Sequence, residues 1–204
     1  MKNPLRALWQ SQSHLETLRD YLMRLRKVRA SLEASGPPRE ARLVSVLQRV
    51  VLLLFDCLVL FEDLKDAHDV ERQRVYARVF AVLAVDAFDY LGNPLGPSGA
   101  ELVEIADASQ LEKPLVASRT LLAAFRRKHE GFLREVRNTL IAHTGADGEE
   151  QMRRLDEFDL GRASDAFEEF VAVLTQTQLD LGDLLDMSGT APAGHAASVL
   201  EAHH

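Results

Sequence analysis

Helix-breaking residues are crowded into a few short stretches of this chain, and that crowding limits what it can fold into. Most of the eleven glycines and seven prolines fall in 36–38, 92–99 and 188–194. Between these hinges run long segments in which apolar residues return every three or four positions, the period of a helix with one buried face. A sheet needs short alternating runs bounded by turn residues, and the spacing leaves no room for them. The expected fold class is all-α, an up-and-down bundle of about five long helices plus a short one.

The hinges and stripes place the elements. Asn3-Pro4 is a cap followed by proline at a first helical position. Leu8, Leu15, Leu18, Leu22, Leu25, Val28 and Leu32 then form one stripe that ends at Gly36-Pro37-Pro38. Its spacing is close to a heptad seam, which suits packing in the bundle first and against a second copy of the chain second. A helix from Arg39 to Leu64 is apolar on almost every face in its second half and should be the most buried element. Asp66 or Asp69 can cap a third helix, which Gly92-Asn93-Pro94 ends. Ser98 and Glu101 have capping-box spacing for a short helix through Ile105, and Pro114 opens a long one that Thr144-Gly145 closes. Asp159 can cap the last, whose inward face carries Phe167, Phe170, Leu174, Leu181 and Leu185. One helical domain over 1–187 is expected, followed by a loose tail over 188–204 rich in Gly, Ala, Ser and Pro. The terminal His203 and His204 are set aside as vector-like.

Composition removes several function classes. A net charge of −7 argues against a protein that coats nucleic acid with its whole surface, while leaving room for a local basic site. Cys57 is the single cysteine, so an internal disulfide and a cysteine-based zinc site are both ruled out. It lies in the run from Val50 to Phe61, where a small buried hydrophobe is expected rather than a nucleophile. Asp56 interrupts that run and Gln48, Arg49, Glu62 and Asp63 flank it, so a core helix is expected and not a membrane span. With no signal peptide visible, a cytoplasmic location is expected. Phosphate-loop, zinc-protease and serine-hydrolase motifs are absent from the sequence, and the Glu-x-x-His of di-iron bundles occurs only at Glu201 and the terminal His204 already set aside.

One segment stands out: Arg134-Glu135-Val136-Arg137-Asn138-Thr139-Leu140-Ile141-Ala142-His143-Thr144-Gly145. An Arg-Asn pair is followed on the same helix by Ala-His, and a turn comes directly after. This resembles the motif helix of the HEPN superfamily, with Ala before His as in its abortive-infection branch. The resemblance covers this helix specifically and the rest of the chain only as helical architecture. It implies a metal-independent endoribonuclease of toxin or phage-defence type, without cofactor, in which two copies of the helix meet across a homodimer axis. It further implies an RNA substrate, tRNA among the candidates, and a neutralising antitoxin or defence-system partner.

The chemistry of the three residues fits that reading. His143 is the acid–base candidate because its ordinary pKa lies near neutrality. Arg137 can clamp a phosphate in bidentate fashion and stabilise charge on a phosphorane. Asn138 would orient the phosphate or the histidine. Six positions put Arg137 and His143 on neighbouring helix faces, roughly 120° apart. The same helix carries Arg126, Arg127, Lys128 and Arg134, a basic run in an acidic chain and hence the expected RNA-binding surface. Two other readings stay open. The run can be a solvated face answering acids such as Glu168-Glu169, which leaves a bundle that binds RNA or protein without cleaving it. Alternatively, Asp86 with Asp89 and Glu101 with Glu104 resemble the carboxylate pairs of magnesium-dependent all-α nucleotide pyrophosphohydrolases.

Overall fold

A computed structural model describes residues 12–35, 38–92, 112–141 and 157–187, together with Glu149 and Arg153. The expected cap at Asn3-Pro4, the short helix from Ser98 and the tail from Ser188 lie outside the described residues, as do His143 and Thr144-Gly145. The described chain is all-α, with no strand. Its long helices are α1 (Gln12–Ser35), α2 (Pro38–Asp66), α3 (Val70–Gly92), α4 (Glu112–Ile141) and α5 (Leu160–Met187).

Boundaries follow local chemistry. The Asp69 carboxylate accepts a hydrogen bond from the Arg72 amide at 2.7 Å, so Asp69 is the cap of α3 while Asp66 is the last residue of α2. Asp159 does the same for α5, accepting from the Arg162 amide at 2.9 Å. Helix α4 begins two residues ahead of Pro114, which a proline tolerates because the first-turn amides have no helical partner in any case.

Four helices close a ring: α2 packs on α3, α3 on α4, α4 on α5 and α5 on α2, with α3 and α5 also touching across the centre. Helix α1 lies outside this ring with α2 as its principal neighbour. A continuous chain of phenylalanines fills the middle. Phe61 stacks on Phe167 at 5.5 Å between ring centres, Phe167 meets Phe80 at 4.3 Å, Phe80 meets Phe170 at 5.9 Å, and Phe170 reaches Phe125 at 5.1 Å. Phe88 completes it against Phe125 at 5.9 Å. Apolar burial on this scale is the main force holding such a bundle together.

Helix α2, expected to be the most buried element, is less buried than α5. Leu43, Val44, Leu47, Val50, Val51, Leu54 and Cys57 are buried, yet Leu52 is 50% exposed, and Phe55, Val59 and Leu60 are only partly covered. Its stretch Ala41–Leu64 is the one helix segment among the described residues long and apolar enough to cross a membrane, and less than half of its most apolar window is buried in the bundle. The reason is geometric: α1, α3 and α5 cover one side of α2, and no described helix covers the other.

Candidate functional site

Helix α4 carries the motif residues on its last described turns. Arg137 is partly buried, and its Nη2 lies 3.5 Å from Oδ1 of Asp86 on α3. That is a loose ion pair, longer than the 2.7–2.9 Å of a well-formed charged hydrogen bond. The Arg137 Nε is buried and meets no acceptor among the described residues. Asn138 is exposed beside it. His143 lies beyond the described residues, so the structure brings Arg137 to Asp86 and says nothing of the histidine's position.

The basic run upstream is largely answered within the chain. Arg126 donates to both Glu130 oxygens, from Nε at 2.8 Å and from Nη2 at 2.9 Å. Arg134 donates to the same carboxylate from the next turn, its Nε at 2.8 Å. Glu130 is thus clasped by two guanidiniums at i−4 and i+4, and the Arg126 hydrogen bond, followed by that of Arg134, holds its carboxyl below the usual range despite partial desolvation. Arg126 also lies over the Phe88 ring at 5.7 Å, which fixes its stem against the core. Lys128 donates to Glu169 on α5 at 2.5 Å, the neighbour anticipated for a solvated face. Arg127 is exposed and, among the described residues, forms no ion pair.

Sequence reading missed the polar contacts that pin α4 to α5. His129 is 4% exposed, lies against Phe125 at 4.8 Å between ring centres, and places Nε2 3.0 Å from the same Glu169 oxygen that Lys128 holds. Its Nδ1 is buried with no partner among the described residues. Burial alone would raise the Glu169 pKa, but the hydrogen bonds from Lys128 and His129 outweigh it and hold the carboxyl low. Nearer the other end of the same pair, buried Asp180 accepts hydrogen bonds from Ser118 on α4 and from Gln176 one turn earlier at 2.9 Å. A signal for the first contact was present: His129 follows Phe125 by four residues and precedes Leu133 by four, squarely on the inward stripe.

Of the carboxylates in the pyrophosphohydrolase reading, Asp86 and Asp89 are among the described residues. Asp86 faces Arg137 and Asp89 is exposed, while Glu101 and Glu104 lie outside the described residues. No group of three or more His, Cys, Asp or Glu side chains converges among the described residues. Burial, and then the Asp56 charge, push the Cys57 thiol far up, which makes it an inert core residue. Compared with family models, with curated proteins and with solved structures, the chain matches none.

Proposed function

We propose that this chain is a HEPN-like, metal-independent endoribonuclease of toxin or phage-defence type, acting on RNA as a homodimer with a composite site. One observation carries the reading: Arg137, Asn138 and His143 follow one another at motif spacing, with Arg137 partly buried toward α3 and Asn138 exposed at the next position of α4. Helical architecture throughout the described chain is in keeping with it. In this scheme the ribose 2′-hydroxyl loses its proton to a general base and attacks the adjacent phosphorus. The 5′-oxygen then leaves with a proton from a general acid, and a 2′,3′-cyclic phosphate remains. His143 supplies acid–base assistance and Arg137 stabilises the charged phosphorane. The loose contact with Asp86 keeps Arg137 oriented and is weak enough for a phosphate to displace.

A specific observation favours a second reading, a bundle that binds RNA or a protein partner without turnover. Arg126, Lys128 and Arg134 are already paired with Glu130 and Glu169, which shrinks the free positive surface of α4. The two readings separate in one assay: cleavage of a structured RNA such as tRNA in EDTA by wild type, Arg137→Ala and His143→Ala, with melting curves alongside. The ribonuclease reading expects metal-independent cleavage that falls by about 10²–10⁴-fold in either variant at unchanged melting temperature. RNA binding without cleavage by wild type would transfer the chain to the second reading. Full activity in His143→Ala would remove the catalytic assignment.

A further inference from the structure

Helices α3 and α4 share a seam whose arginines are well neutralised in one half and poorly in the other. The two helices run antiparallel, since Phe88 meets Phe125 and Arg126 while the earlier Asp86 meets the later Arg137. In the first half, Arg126 holds Glu130 through two hydrogen bonds and also feels the Asp89 charge from α3. Arg78 precedes Asp89 by eleven positions, which leaves the two about 20° apart around an ideal helix. It therefore enters the same seam about two turns ahead of Asp86, on the side of the last turns of α4.

Arg78 is half-buried. Its Nε is buried without an acceptor, and no carboxylate pairs with it among the described residues. Arg137 repeats the pattern, with a buried Nε that has no acceptor and a loose Asp86 contact at 3.5 Å. Arg74, one turn before Arg78, donates to Glu71 at 2.8 Å and is already answered. An arginine stem often runs along apolar surface to bring its head to water, but here the Nε of each head is sealed off. Buried N–H donors almost always find an acceptor, so two unmet ones in a single seam point to acceptors from outside the chain. Phosphate oxygens match the planar fork of a guanidinium, and two guanidiniums on facing helices suit two phosphates.

We infer that Arg78 and Arg137 form a two-point phosphate site along the α3–α4 seam, which holds neighbouring phosphodiesters of one RNA strand. The site rests on the reading of α4 as the RNA-facing helix and extends it to α3. Arg137 takes the phosphate at the reacting position, displacing Asp86, and Arg78 takes one next to it. Helix α3 thereby fixes how the strand lies across α4.

The test is fluorescence anisotropy of a labelled 2′-O-methyl RNA strand, which cannot be cut through its 2′-hydroxyl, with the full chain in EDTA at several salt concentrations. Arg78→Ala should weaken binding by about tenfold, as expected for a lost charged hydrogen bond. It should also flatten the slope of log affinity against log salt by about 0.7, the single-strand value for one phosphate contact. Arg78→Lys should restore the slope. Arg78→Gln, which keeps most of the stem, should match Arg78→Ala, and melting curves verify that each variant is folded. Arg29→Ala, on α1 and paired with Glu33, should change nothing. Where the wild type cleaves RNA, Arg78→Ala should raise KM and spare kcat, whereas Arg137→Ala lowers kcat.

Affinity and salt slope that ignore Arg78→Ala and Arg78→Gln, yet fall in Arg137→Ala, overturn the inference and leave the ribonuclease reading standing. Binding that depends on Arg78 without any cleavage by wild type keeps the site and removes the nuclease. A wild type that ignores the strand but binds pyrophosphate through Arg78 overturns RNA as the ligand and assigns the seam to a free phosphate compound. Binding of neither overturns the site itself.

Discussion

Glu169 shows how one side chain can serve two neighbours of opposite consequence. Its contact with Lys128 lies at the surface, where the lysine side chain is 64% exposed, so water screens most of the attraction. Its contact with His129 reaches into the core, where a ring nitrogen left without a partner is costly. Glu169→Ala should therefore destabilise the fold by about 1–3 kcal/mol, whereas Lys128→Ala should cost no more than about 0.5 kcal/mol. Urea titrations of the two variants decide this, and equal losses would show that the surface pair carries the effect. Asp56 presents the opposite case. Burial raises its pKa, so its ionised form is disfavoured in the folded chain. Asp56→Asn should raise the melting temperature at neutral pH and lose that advantage as acid protonates the native carboxyl.

Among elements, α5 illustrates how local chemistry sets a boundary. Asp159 supplies the acceptor that its first turn lacks, and Asp159→Ala should cost about 1 kcal/mol, read from the same denaturant titrations. That cap was legible beforehand, as were Asp69, the hinges and the inward stripe of α5, because each depends on neighbours within one or two turns. The residues that meet across the bundle were less legible. Nothing in the spacing of α5 marks Glu169 as the partner of His129, or Asp180 as the partner of Ser118, since these contacts join positions far apart in sequence. Helix α2 misled for a related reason. An apolar composition says that a face avoids water, but which faces a single chain covers depends on how many neighbours surround that helix. At the candidate site, the basic run was plain in sequence, whereas the pairing of Arg137 with Asp86 needed the packing of α3 against α4.

For the whole molecule, the linked phenylalanines make the four-helix ring a single cooperative unit. Phe170 meets Phe80 and Phe125 together, so Phe170→Ala should cost about 3–5 kcal/mol, while Tyr90→Ala, at a side chain 58% exposed, should leave melting almost unchanged. Acid should act on the same unit through its carboxylates. Glu130 and Glu169 both have lowered pKa values in the folded chain, so their contribution is complete above the ordinary carboxylate range and fades as pH falls through the folded values. Melting temperature should thus decline below about pH 4, and Glu169→Gln should flatten part of that decline. Helix α1 joins this unit chiefly through α2, with Leu18, Tyr21 and Leu25 buried in the shared core. Opening α1 would uncover the α2 side chains beneath it while leaving the phenylalanine contacts among the other four helices in place. Native-state hydrogen exchange should accordingly register two classes of amide. Those of α1 would exchange through a partial opening well below the global unfolding free energy, and those flanking Phe80, Phe125 and Phe170 only when the entire fold comes apart.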